Sequence, residues 1–250
     1  MIVTIEDQLT PSLIESAIQT SQFCGKRSTT LTNAKAGIYS GQDDVLQLPV
    51  ALHHHHSPPR NPQAVLSDAD AIYHLLSDQA NFPYDEVQPD LSPEVFRSRV
   101  DKWAHATAEG RSAFMVVVVR ETDELIGFGG FNSLPRAPAL RSSHDSAEEL
   151  VGDAGLVIDH QSWRKGFATE AFCATMEFSF RTLGCGHFSI DTAKEIETWR
   201  AFMKEMGLGG TEDRMDSWRK QGDWEYVYNF DQETSGEAKK GLKTKGRWPL

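Results

Sequence analysis

The stretch running from Ala154-Gly155-Leu156-Val157-Ile158 to Arg164-Lys165-Gly166-Phe167-Ala168-Thr169-Glu170-Ala171 constrains this chain more than any other. The first part is a short apolar run rich in β-branched residues, bounded by Asp153 and by Asp159-His160-Gln161-Ser162, which predicts a buried strand. In the second, Ala168, Phe172, Met176, Phe180 and Leu183 recur at helical spacing, and Gly184 follows where a helix would end in the left-handed conformation. The turn between them is short, basic and contains a glycine. Gly166 permits a backbone that other residues resist. The first N–H groups of a helix have no partner inside it, and the positive end of its dipole attracts anions. Arg164 and Lys165 add formal positive charge, so the turn is suited to hold phosphate.

The surroundings predict more sheet and more helix. Ala113 to Arg120 and Leu125 to Asn132 are β-rich runs separated by Glu121-Thr122-Asp123-Glu124, a hairpin pattern. Phe188 to Thr192 is another short strand, and Trp224 to Phe230 alternates like a last one. Glu195 to Met206 predicts a helix with Trp199, Phe202, Met203 and Met206 on one face and Gly207 at its end. Upstream, Ser67 to Gln79 and Ser92 to Glu109 are predicted helices; the second has Ser92 as N-cap, Pro93 at its first position and Gly110 past its end.

A chain of 250 residues with 39% hydrophobic content can bury a full core. No apolar run reaches the ~20 residues of a membrane helix. The start, Met1 to Asp7, lacks the basic and apolar regions of a signal peptide, so a cytoplasmic location is expected. The three cysteines, Cys24, Cys173 and Cys185, form no paired framework and suit a reducing compartment. A net charge of −11 argues against nucleic acid and anionic membranes as partners and is compatible with an amine acceptor. Oligomeric state is not legible.

Asp153 to Asp159, then four intervening residues, then Arg164 to Ala171 resemble the acetyl-CoA-binding motif of the GNAT N-acetyltransferases, in the branch that includes the ribosomal-protein N-acetyltransferases. Members carry an acidic residue, an apolar residue and glycine, a strand ending in Asp, and then Trp-Gly-Lys-Gly-aromatic-Ala-Thr-Glu-Ala. Here Trp163 is matched and Arg164 replaces the first glycine of the loop. The resemblance implies an α/β fold, a mixed, strongly twisted central sheet with helices on both faces, over residues 45–231. Residues 1–44 would be a partly loose extension and 232–250 a basic, solvated tail. It implies acetyl-CoA as cosubstrate, held by the backbone of Val157, Ile158 and Asp159 and by the amides of Arg164, Lys165, Gly166, Phe167, Ala168 and Thr169. No metal is expected. The acceptor would be a primary amine, on a protein N-terminus or a small molecule, attacking directly. Many members place an Asn three residues before a Ser near the start of the helix after the fifth strand; those positions align with Ile196 and Trp199. The resemblance also implies that the loops 80–91 and 134–149 wall the acceptor side.

An acetyl thioester is already activated, so catalysis needs orientation, a deprotonated amine and oxyanion stabilisation. By resemblance Asp153 is the candidate base, with Asp191 behind it; Tyr226 and Tyr228 are candidates to protonate the leaving thiolate. Each has a plainer reading, since a strand-opening Asp is commonly structural and strand tyrosines commonly serve packing. His53 to His56 has the imidazoles of a metal site but no cysteine or carboxylate at ligand spacing, so a polar loop or strand end is preferred over a metal-binding interaction module. Cys185 beside glycines and His187 reads as a helix-to-strand junction rather than a nucleophile, and Gly25-Lys26-Arg27-Ser28 lacks the glycine spacing of a P-loop. A GNAT-fold protein that binds CoA without catalysis is the alternative within the fold.

Overall fold

A computed structural model describes residues 64, 66–84, 87, 92–140 and 148–249. The expectations for residues 1–44 and for His53 to His56 lie outside the described residues.

Two helices come first, α1 (Ala69–Ser77) and α2 (Pro93–Ala108). The Ser92 hydroxyl accepts the Val95 N–H at 3.3 Å and Pro93 opens the helix, the capping that the sequence predicts. Ile72 and Leu75 of α1 and Phe96 and Val100 of α2 are buried with Val116 and Phe128 of the sheet. Trp103 closes this layer by stacking on Phe114 and Phe128, with ring centroids 4.8 and 4.9 Å away.

The sheet is built from β1 (Ala113–Val119), β2 (Glu124–Ser133), β3 (Arg136–Pro138), β4 (Glu148–Ile158), β5 (His187–Ala193), β6 (Glu212–Asp216) and β7 (Trp224–Asp231). Its order is β1-β2-β4-β5-β7-β6, with β3 paired to β4. All neighbours are antiparallel except β4 and β5. Gly130 lies at φ +106°, and a Cβ there would meet the Ala113 carbonyl oxygen at 2.1 Å, so the close approach of β1 and β2 requires glycine.

The other face is covered by α3 (Phe167–Phe178), α4 (Glu197–Glu205) and α5 (Gln232–Thr244). Phe172 and Met176 of α3 and Met203 of α4 pack on Phe188, Ile190, Tyr228 and Phe230 of the strands. Helix α3 runs on as a wider π turn, Ser179–Leu183, and stops at Gly184 with φ 69°, the predicted left-handed end. The expected mixed sheet with helices on both faces is therefore present.

Three elements differ from the sequence reading. The loop expected from Leu134 to Glu149 holds β3, and β4 starts at Glu148 rather than at Ala154. Strand β6 is exposed and charged along most of its length, so no apolar alternation announces it. The solvated tail is instead helix α5: Asp231 caps it by accepting the Thr234 N–H at 2.9 Å, and Ala238 and Leu242 enter the core. Gly236 and Gly241 lower its intrinsic helix propensity, and packing overrides them. Leu242→Ala should therefore destabilise the protein by roughly 2–5 kcal/mol, the cost of a core truncation, measured by urea unfolding; a solvated tail would give no change.

Candidate active site

Strands β4 and β5 run parallel but pair only at Val151↔His187 and Gly152↔Phe188. The joint is reinforced just upstream, where the Gly186 N–H donates to the Leu150 carbonyl at 2.8 Å and His187 Nδ1 lies 2.5 Å from Glu149 Oε1. Beyond Gly152, β4 keeps β2 as its partner and β5 keeps β7. The two strands thus part, and their facing edges are left without a ladder.

The register shows which backbone groups line this split. The Asp159 N–H donates to the Ile126 carbonyl at 2.8 Å while Gly127 lies opposite Ile158. Antiparallel pairs alternate between hydrogen-bonded and non-hydrogen-bonded. Ala154, Leu156 and Ile158 consequently direct their N–H and C=O groups into the split, whereas Val157 and Asp159 direct theirs to β2. Of the expected triplet only Ile158 faces the gap, and its carbonyl already accepts the Trp163 indole N–H at 2.6 Å. Leu156 was not identifiable without the register.

After β4 a short 3-10 turn, His160–Ser162, leads into the basic loop. Arg164 has φ 61° and Gly166 has φ 90°, so left-handed residues flank Lys165. Such alternation turns successive N–H groups toward one concavity that favours anions. The first helical hydrogen bond is Glu170 N–H to the Gly166 carbonyl at 3.0 Å. The Phe167, Ala168 and Thr169 amides precede it and have no partner within the helix. Arg164, Lys165 and Gly166 are exposed. The predicted phosphate-holding turn thus has free donors, positive charge and access together.

Asp153 is the first residue of β4 past the paired stretch, at the apex of the split. Its carboxylate accepts from the Ser133 hydroxyl at 3.2 Å and from Asn132 Nδ2 at 3.4 Å. Burial, together with the charge of Asp191, pushes its pKa above the ordinary value; Asn132, Ser133 and Arg219 act the other way. Asp191 on β5 accepts from the Trp218 indole at 3.1 Å and pairs with Arg219 at 2.8 Å. Arg219 also binds Glu225, a buried β7 carboxylate that the Ser217 hydroxyl contacts as well. The loop between β6 and β7 thus brings Trp218 and Arg219 to the carboxylates. Sequence reasoning missed both, because nothing local to that polar loop marks its destination.

The tyrosines stand elsewhere. Thr192 lies opposite Tyr226 and Ile190 opposite Tyr228, so both phenols are on the face of α3 and α4, away from Asp191. Tyr228 is fully buried and donates to Glu212 Oε2 at 2.7 Å; burial, followed by the bond to Glu212, raises its phenol far above the usual range. Tyr226 lies under the Arg200 guanidinium, 4.0 Å from the ring centroid. Asp153 and Tyr226 are therefore not brought together. At the head of α4, Ile196 makes no side-chain cap, and the Trp199 Nε1 is buried without a hydrogen-bond partner among the described residues. Cys185 is buried and its thiol is pushed up to about 11, which suits a structural cysteine. Among the described residues no group of His, Cys, Asp and Glu is arranged to hold a metal ion, and no helix is long and apolar enough to cross a membrane.

An open sheet split between two parallel strands thus has a donor-rich turn at one end and a carboxylate at the other. A family model described as acetyltransferase (GNAT) domain matches residues 62–209, more than half of the chain, and the protein belongs to this family. It is 27% identical over 118 residues to the uncharacterized N-acetyltransferase p20 of Bacillus licheniformis, covering 47% of this chain and 60% of that protein, under two thirds of its length. Over 141 residues it is 28% identical to the uncharacterized N-acetyltransferase YoaA of Bacillus subtilis, covering 56% of this chain and 73% of that one. Among solved structures, the ribosomal-protein-S5-alanine acetyltransferase of Vibrio fischeri aligns with a TM-score of 0.56 at 15% identity, covering 68% of this chain and 91% of that one. RimJ of Mycobacterium smegmatis, in complex with CoA-disulfide, aligns with a TM-score of 0.55 at 14% identity, covering 74% and 88%. These structures share the fold.

Arg164 occupies a left-handed conformation that costs a non-glycine residue on the order of 1 kcal/mol. Arg164→Gly relieves this strain but loosens the unfolded chain, whereas a β-branched Arg164→Val tolerates the conformation least; the glycine variant should therefore be more stable than the valine variant by about 1 kcal/mol or more in urea titration, and equal stabilities would show that the loop does not hold the residue in this conformation.

Proposed function

We propose that this protein is an N-acetyltransferase that moves acetyl from acetyl-CoA to a primary amine. The observation that carries the reading is the alignment of a split sheet, an anion-holding turn and a desolvated carboxylate along one path. Backbone groups of Leu156 and Ile158 would hold an extended amide-containing arm, as a third strand would. The amides from Arg164 to Thr169, with the charges of Arg164 and Lys165, would hold phosphate. Acetyl-CoA has both features and supplies an activated acyl group.

The residues of the chain then have defined work. A lysine-type amine has a pKa of about 10.4, so most of it is protonated at neutral pH. Asp153 takes the proton from the entering ammonium, and its raised pKa brings its basicity closer to working pH. Asp191 adds negative charge that draws the ammonium toward the apex. Tyr226, on the other face and under Arg200, is not placed to reach a thiolate formed beside Asp153, so that thiolate takes its proton from water. The absence of Asn at Ile196 favours one second reading, a CoA-binding protein without catalysis. The acceptor amine belongs either to a protein N-terminus or to a small molecule, and the site lies in a protein that we place in the cytoplasm.

Incubation with acetyl-CoA and an amine panel separates these readings by release of free thiol. Binding of CoA without thiol release for any amine would leave only the non-catalytic one. Asp153→Asn should lower kcat/KM by roughly 100-fold or more if it is the base, with CoA affinity retained. Asp191→Asn removes a negative neighbour and lowers the Asp153 pKa, so the acid limb of the kcat/KM profile should move to lower pH. A limb that stays put or moves up would remove Asp153 from the base role. Tyr226→Phe should leave kcat unchanged, and a reduced kcat would show that the phenol does return the proton.

A further inference from the structure

A cavity of about 610 Å³ lies between the last turns of α2 and the adjoining ends of β1 and β2, a size typical of small-ligand sites. Its walls include Asn132 and Ser133, the two residues that hold the Asp153 carboxylate. A molecule in this cavity is therefore within one side chain of the proposed base.

The lining is basic in a protein of net charge −11. Lys102, His105 and Arg111 all border the cavity, with the rings of Trp103 and Phe114 as its apolar wall. Two carboxylates stand next to these groups. Glu109 binds Arg111 through Nε at 2.7 Å, and the Asp101 carboxylate lies 3.7 Å from His105 Nδ1. Lys102 has no ion pair among the described residues.

We propose that this cavity receives the anionic end of a small zwitterionic acceptor, a carboxylate or phosphate held by Lys102 and Arg111 while its amine reaches Asp153. Trp103 and Phe114 cover the short spacer between the two charges. The cationic lining selects against amines that lack an anionic group, and the carboxylates at the apex select the ammonium end. This rests on the reading of Asp153 as the acceptor-side base.

Calorimetry on the full chain with CoA present compares matched probes: β-alanine with β-alaninamide, and phosphoethanolamine with ethanolamine. The anionic member of at least one pair should bind about tenfold tighter, as a charge-assisted hydrogen bond requires, and which pair shows the preference separates carboxylate from phosphate. Lys102→Glu, at an exposed position, should abolish the preference. Arg111→Ala should weaken the member that carries the anionic group about tenfold and leave its partner unchanged. Equal affinity within both pairs, or a preference that survives Lys102→Glu, overturns the proposal. Tighter binding of a peptide N-terminus than of any zwitterion would do so too. Thiol release from acetyl-CoA on the same panel is independent. An anionic preference without thiol release keeps the subsite and removes the transfer reading; release with neutral and anionic amines alike does the reverse.

Discussion

Strands β4 and β5 are joined at one end and free at the other, and everything about the site follows from that joint. At the closed end, the ladder at Val151 and Gly152, the Gly186 amide and the His187–Glu149 contact hold the strands together. At the open end each strand remains rigid because it has a partner on its outer side, β2 for one and β7 for the other. The gap is thus a fixed feature of the sheet rather than a frayed edge. Backbone donors and acceptors that face it need partners from water or from a ligand, since leaving such a group buried and unsatisfied costs about 1–3 kcal/mol. A ligand with its own amides, laid along β4, satisfies them in the manner of an added strand.

The two ends of this path have opposite charge. Arg164, Lys165 and the first amides of α3 make the mouth positive, whereas Asp153 and Asp191 make the apex negative. On the proposed reading, an anionic cosubstrate and a cationic acceptor would be drawn to different ends and meet between them. Arg219 tempers the apex: by pairing with Asp191 and lowering the Asp153 pKa it opposes the effect of Asp191 on Asp153, and Glu225 in turn anchors Arg219. The proton affinity of Asp153 is therefore set partly by a loop, 217–223, through Arg219.

What could be read directly was what repeats or punctuates. The strand at Leu156 to Ile158, the basic turn, the face of α3 and its stop at Gly184 were all legible, because hydrophobic period and glycine position are local signals. Strand β6 was not, since an exposed edge strand of Glu, Asp and Arg has no buried face to mark it. Helix α5 was hidden by its glycines and lysines; only its docking on the core reveals why Ala238 and Leu242 are apolar. The split-facing identity of Leu156 over Val157 depends on register, which alternation alone leaves undetermined by one residue. Arg164 stands where the resemblance places a glycine, and the structure shows that it keeps a glycine-like backbone there, φ 61°. The gathering of Asp191, Trp218 and Arg219 beside Asp153 joins distant parts of the chain and has no local signature at all.

The central claim is that the β4 edge and the turn after it form one cosubstrate-binding path. Amide hydrogen exchange with and without acetyl-CoA tests it most directly. Slowed exchange at Leu156 and Ile158 and at Arg164 to Thr169, with Val157 unaltered, is the expected result. Protection confined to other parts of the chain, or no protection at saturating acetyl-CoA, would contradict it.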